Sequence, residues 1–383
     1  MFENLLHQEE VVGQLKQEII GGSLAPSSLF SGPSLSGKLT AALELARISC
    51  CEDNRRWNCQ CRHCRAHRLL LHPRTILMGH RSLIPEITAC ADLMRRESSD
   101  TSRYLMVRSV RKLLCRFDSV LWDGEKKKLF QLRSVMERLT ETVDSILPGK
   151  GVPEGVKQEM LLSSLVADCL AMQKALPDIL PVDQIRHVCR WAHHSAGKDH
   201  KIIIIDSAER MSDASKNALL KFLEEPPADT SIILITEHKQ MLSPTIISRL
   251  RAYPFKNRSR MQEAEIIRRI FREKGEGLQA FFGAWRRKSS SMVIAKQFIE
   301  QANSNNRTIP GEALEIRDLE ELRDFLKALG IELRDRWRKT ASPKHKSFRS
   351  EQDGIRDARI RAENLNLPIP LVLRGLYRVM SSF

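Results

Sequence analysis

Apolar residues recur at helical spacing near the start of the chain (Leu5, Val11, Val12, Leu15, Ile19, Ile20), and Gly21-Gly22 ends that run. Residues 27–30 read as a short strand entering Ser31-Gly32-Pro33, and the Ala- and Leu-rich residues 39–49 read as a helix. A block at 76–178 keeps helical periodicity (Leu129, Leu132, Met136, Leu139, Val143, Ile146), and Pro148-Gly149-Lys150-Gly151 breaks it in two. An α/β pattern then resumes: a helix at 183–195, an aliphatic strand at 201–206, a helix at 212–224 ended by Glu225-Pro226-Pro227, and a strand at 231–236. Continuous aliphatic strands belong in a parallel sheet covered on both faces, and strands alternating with helices predict a doubly wound α/β fold. After about residue 257 only helical patterns remain.

The 383 residues exceed one small core and predict two or three domains. No stretch approaches the roughly 20 apolar residues of a membrane span. The start, Met1-Phe2-Glu3-Asn4, lacks the pattern of a secretory signal. A soluble, cytoplasmic chain without membrane partners is expected. The formal charge is +15, and residues 251–383 hold 28 Lys and Arg against 17 Asp and Glu. Such a surplus suits either direct contact with a polyanion or a solvated basic surface. Sparse aromatic residues argue against a base-stacking platform. Five of nine cysteines (Cys50, Cys51, Cys59, Cys61, Cys64) fall within fifteen residues. An odd number without a secretory signal favours a metal site over a disulfide framework. Cys90, Cys115, Cys169 and Cys189 are isolated and read as packing residues.

Residues 32–38, Gly32-Pro33-Ser34-Leu35-Ser36-Gly37-Lys38, fit the Gly-x4-Gly-Lys part of a phosphate-cradling loop between strand and helix. Glycines let backbone N–H groups turn toward phosphates at a helix N-terminus, and Lys38 would add charge there. The next position needs a hydroxyl for magnesium, but Leu39 stands there. Asp206 ends an aliphatic strand, where magnesium would sit, and Ser207 follows in place of a second acidic residue. The alternative is that Lys38 and Asp206 pair with each other or with the backbone.

Residues 201–250 resemble the clamp-loader branch of the AAA+ ATPases. The segment Asn217-Ala218-Leu219-Leu220-Lys221, leading into Leu223-Glu224-Glu225-Pro226-Pro227, is similar to the gamma, tau and delta-prime subunits of bacterial DNA polymerase III. Residues 1–75 and 360–380 carry the same likeness, the latter through Ala362-Glu363-Asn364-Leu365-Asn366. The resemblance implies an α/β AAA+ core with a parallel sheet at 1–256, including a zinc module at about 50–67 and a helical insertion at about 76–178. A small helical lid at 257–303 and a helical collar at 304–383 would follow. It implies nucleotide-site roles for Gly32, Gly37, Lys38, Asp206 and Thr236, with Thr236 as the polar sensor. It also implies that Arg249, in Ser248-Arg249, reaches a neighbouring subunit's ATP site as an arginine finger. There a guanidinium stabilises charge developing on the outer phosphate.

Departures from the family pattern narrow this reading. Leu35 replaces a loop glycine, Leu39 the magnesium hydroxyl and Ser207 the catalytic glutamate. They place ATP and magnesium binding by this chain in question. They point to a delta-prime-like subunit that lends Arg249 without hydrolysing ATP itself. Its partners would be gamma/tau-like and delta-like subunits, and through the complex the sliding clamp and primer–template DNA. The rivals are an active gamma/tau-type ATPase and an AAA+-derived DNA-binding scaffold. The family's zinc module is spaced Cys-x8-Cys-x2-Cys-x2-Cys. Here Cys61-x2-Cys64 is kept but the upstream spacing is compressed, with only Gln60 between Cys59 and Cys61. The set the resemblance implies is Cys51, Cys59, Cys61 and Cys64, with Cys50 or His67 as substitutes, and four thiolates imply structural zinc. Lys126-Lys127-Lys128 with Arg108, Arg111 and Lys112 would be a basic face of the insertion, read chiefly as solvated helix surface.

Overall fold

The computed structural model describes residues 1–383 apart from 152–154, 195–199, 304–308, 315, 317–318, 340–344, 364, 366 and 382–383. Asn364 and Asn366 of the collar-like segment therefore lie outside the described residues. Two compact units are present, Met1–Phe281 and Phe282–Phe383.

The first unit opens with α1 (Glu9–Ile20), β1 (Ser27–Ser31), α2 (Lys38–Ser49) and the short α3 (Arg62–Arg68). Next come β2 (Thr75–Gly79), α4 (Ile84–Arg96), α5 (Asp100–Leu114), α6 (Lys126–Ser145) and α7 (Val156–Ala175). It continues with α8 (Val182–His193), β3 (Lys201–Asp206), α9 (Asp213–Glu224), β4 (Thr230–Thr236), α10 (Pro244–Ile247), β5 (Arg251–Pro254) and α11 (Arg260–Phe271). The five strands form a parallel sheet in the order β2-β3-β4-β1-β5. This is the expected α/β class. β3 is buried along its whole length, as its continuous aliphatic run requires, and so is β1, although its sequence is Ser-Ser-Leu-Phe-Ser. Phe30, Leu39, Ile48, Leu77, Ile204, Ile233 and Tyr253 are among the buried residues of the core that joins α2 to the sheet.

β2 was not expected. Its sequence, Thr-Ile-Leu-Met-Gly, pairs with β3 from Thr75↔Ile202 to Gly79↔Asp206. The inserted helices therefore begin at Ile84, not at 76, because the first residues of that block complete the sheet. β5 is short, with exposed Arg251 and Pro254, and gave no aliphatic signal.

The Arg108, Arg111 and Lys112 side chains are buried or half-buried against protein partners. Arg108 donates to the Arg68 carbonyl at 2.6 Å and Arg111 to the Leu69 carbonyl at 3.0 Å, while Lys112 pairs with Glu86. α5 thus clamps the cysteine segment through the carbonyls that end α3. Just beyond α5, a tight turn at Cys115–Phe117 reaches the sheet at β2.

The helix α12 (Leu278–Asn303) leads into the second unit, which continues with α13 (Gly311–Leu314), α14 (Leu319–Lys339), α15 (His345–Glu363) and α16 (Ile369–Met380). Phe298 makes edge-to-face contacts with Phe325 and Tyr377, at 5.3 and 5.1 Å between ring centres. Buried Glu351 accepts from Arg336 at 2.6 Å and from the Trp337 indole at 2.8 Å, so its charge is paired. No helix among the described residues is long and apolar enough to cross a membrane.

Candidate functional site

The loop between β1 and α2 keeps the backbone of a phosphate cradle. Gly37 precedes the helix at φ 96°. Gly32 sits at φ 146°, and a Cβ there would stand 2.4 Å from the Phe255 carbonyl oxygen, so only glycine fits. Leu35 adopts φ 58°, the left-handed conformation in which a glycine costs nothing and a leucine is strained. Arg258 fastens the loop by donating to the Leu35 carbonyl at 2.7 Å and to that of Leu6 at 2.8 Å.

Leu35, Ser36, Gly37, Lys38, Arg81, Asp206, Ser207, Thr236 and Glu237 surround one cleft, so sheet topology brings Gly37, Lys38, Asp206 and Thr236 together, while Gly32 is not among its described lining. The cleft is partly open but narrow, with room for about one water between its walls. Lys38 is turned inward: its ammonium donates to the Gly32 carbonyl at 2.7 Å, to the Pro33 carbonyl, and to Ser36 Oγ at 3.3 Å. Burial lowers its pKa to about 8, against the opposing pull of Glu237. Thr236 is fully buried; its hydroxyl accepts from the His238 N–H at 3.1 Å and its carbonyl from the Gly32 N–H at 3.3 Å. Ser207 holds a left-handed φ of 61°. Glu209 Oε2, two residues on, is buried with no hydrogen-bond partner among the described residues.

Asp206 pairs with neither Lys38 nor the backbone. Its Oδ2 accepts from Arg116 Nη2 at 3.0 Å, with the two side chains 3% and 1% exposed. Arg116 Nη1 donates to the Arg81 carbonyl. No motif singled out Arg116, which stands 90 residues before its partner. With a guanidinium on the carboxylate and an apolar side chain at Leu39, the residues present do not fit a magnesium ion.

Arg249 is absent from the described lining of this cleft. It follows α10, one-third exposed, with Nη2 2.6 Å from Glu224 Oε1 and Nη1 donating to the Thr245 carbonyl at 2.8 Å. The fork is therefore braced at the surface by the end of α9.

The cysteine segment forms a second site. The sulfurs of Cys51, Cys59, Cys61 and Cys64 all lie within 4.8 Å of one another, and those of Cys51 and Cys59 are 3.6 Å apart. Tetrahedral zinc with Zn–S bonds of about 2.3 Å needs sulfur separations of about 3.8 Å, so the four fit. Cys61 caps the start of α3. Burial opposes its ionisation, but the Cys64 and Glu52 N–H groups outweigh it and bring the thiol down to about 7. Burial pushes the Cys64 thiol up, although Arg47 Nη1 donates to its sulfur at 3.3 Å. Arg47, from α2, is 1% exposed and also holds the Arg55 and Arg56 carbonyls, so the phosphate-loop helix organises the thiol loop. Cys50 and His67 belong to a separate buried group with His72, where the His67 and His72 rings stack at 4.0 Å. Burial, then neighbouring His72 and His63, lower the His67 pKa to about 2, so its imidazole is neutral.

A family model described as DNA polymerase III, delta subunit, matches residues 7–137 and 158–259, more than half of the chain. The chain belongs to this family. It is 53% identical over 55 residues to the DNA polymerase III subunit delta' of Bacillus subtilis (strain 168), covering 14% of this chain and 17% of that protein. It is 44% identical over 76 residues to the subunit tau of the same organism, covering 20% and 14%. These alignments span less than a fifth of either relative's length. A DNA polymerase III gamma subunit-related protein from Thermotoga maritima, of known structure, is similar at 17% identity over 54% of this chain and 80% of that one, with a TM-score of 0.24. Membership thus rests on the family match, and the fold on the strand order itself.

Proposed function

We propose that the chain is a delta-prime-like clamp-loader subunit that lends Arg249 to a neighbouring subunit's ATP site and does not hydrolyse ATP itself. The observation that carries this reading is a division of labour between two sites. Arg249 is held at the surface, apart from its own cleft, while that cleft has Lys38 folded onto its own loop and Arg116 on Asp206. A guanidinium at a molecular edge can serve a phosphate bound elsewhere. In this reading the four thiolates hold structural zinc, residues 304–383 hold the oligomer, and gamma/tau-like and delta-like subunits are the partners. Sliding clamp and primer–template DNA are engaged through the assembled loader.

The test is DNA-stimulated ATPase of a loader reconstituted with this chain, against Arg249→Ala. A fall of about tenfold or more is expected, because such an arginine contributes about 10³–10⁵ at the site it serves. Assembly, followed by size exclusion, should be unchanged. An unaltered rate in an intact assembly would reduce Arg249 to a brace for Glu224.

A further inference from the structure

Arg116 is the part of the cleft that no sequence motif marks. It belongs to the turn after α5, which packs against β2. Its carbonyl accepts from the Trp122 indole N–H at 2.9 Å, and Trp122 stacks on Phe117 with ring centres 5.4 Å apart and planes at 9°. Phe117 and Trp122 are each 2% exposed. The guanidinium is therefore aimed by a rigid aromatic support, not by a mobile surface chain. Its two Nη atoms bond the Asp206 carboxylate and the Arg81 carbonyl, one partner on β3 and one in the segment after β2.

Asp206 ends β3 where a phosphate-loop protein keeps the carboxylate that faces magnesium. A buried carboxylate with a guanidinium 3.0 Å away cannot take a dication without displacing that charge. Cations and carboxylates already interleave at the cleft: Lys38 and Arg81 line it with Asp206 and Glu237, Arg116 bonds Asp206, and Arg81 also pairs with Glu86 at 3.7 Å. Leu39 offers a metal no oxygen.

We infer that Arg116 is an internal replacement for the metal ion: the inserted helical block delivers it to Asp206, where it completes the charge of the cleft and closes it to metal–nucleotide. The core then holds its shape without nucleotide. The block between β2 and α8 thereby gains a function at this cleft. The inference concerns the cleft alone and does not depend on what Arg249 does.

The experiment titrates full-length protein with Mn²⁺, read by its paramagnetic resonance signal, and with a fluorescent ATP analogue plus Mg²⁺. Wild type is expected to show no saturable site attributable to Asp206. Arg116→Gln should gain at least tenfold in affinity for either probe, and Arg116→Gln combined with Asp206→Asn should lose that gain. A folded Arg116→Gln protein without the gain, judged by circular dichroism, would overturn the inference. Should Arg116→Gln not fold, the double variant Arg116→Gln with Asp206→Asn decides by circular dichroism: recovered folding upholds Arg116 as the charge that completes Asp206, and a double variant that still does not fold overturns it. The reconstituted ATPase test of Arg249 can fail or succeed independently.

Discussion

Lys38 carries a charge into a nest of its own loop's oxygens, and its exchange with solvent sets a pH dependence. Its pKa falls from the ordinary 10.5 to about 8, with burial the largest cause. The protonated form is therefore disfavoured in the folded state, and below pH 8 that penalty is present in full. Between 8 and 10.5 the folded protein releases the proton before the unfolded chain does, so stability rises with pH in that window. Relative to Lys38→Met, wild type should gain up to about 3 kcal/mol over the window, the order of magnitude set by 1.36 kcal/mol per pKa unit. Urea midpoints measured across it would show the gain; parallel curves for the two proteins would mean that Lys38 does not titrate there. Lys38, Asp206 and the four module cysteines were legible because spacing or a strand end marks them. Arg116 was not, because its partner lies across the sheet and no local pattern records the approach. Leu35 was legible as a departure, yet only the backbone shows that it keeps a glycine's conformation.

Among the elements, β3 and β4 could be read as aliphatic runs and β1 as a short strand entering the glycine turn, and α2 and α9 followed from their composition. β2 was hidden because its apolar residues merge with the helical periodicity that follows, and only pairing with β3 separates them. The sense of α5 was also hidden. Its cations look like solvated surface until the carbonyls at the end of α3 are placed against them. The thiol loop depends on such outside support: Arg47 from α2 on one side, and Arg108 and Tyr104 from α5 on the other. Zinc should still decide its order, since binding energy at a structural site is folding energy. Purified protein is expected to carry about one zinc at the four thiolates. Cys64→Ser should carry substoichiometric metal and melt several degrees lower. Full folding and unchanged melting without metal would make the module metal-independent.

At the scale of the whole molecule, the two compact units each own a core. Leu15, Phe30, Ile204 and Tyr253 belong to one, and Phe298, Phe325, Leu373 and Tyr377 to the other. The unit of residues 1–281 contains the sheet, the thiol module and the inserted helices. That fragment is therefore expected to unfold in urea as one cooperative transition and to bind zinc at the four thiolates as the full chain does. A broad, non-cooperative transition would mean that residues 282–383 are needed to complete it.

α5 touches two distant matters at once. Its middle grips the chain beside the thiolates, and the turn at its end carries Arg116 to the sheet. A lever with a load at each end cannot be tilted at one without moving the other. Were α5 to move as one body, free energy that orders the thiol module would be shared with the closed cleft, and reciprocity would make that coupling run both ways. An oxidant or chelator acting on sulfur would then, through one helix, reach the buried carboxylate that ends β3.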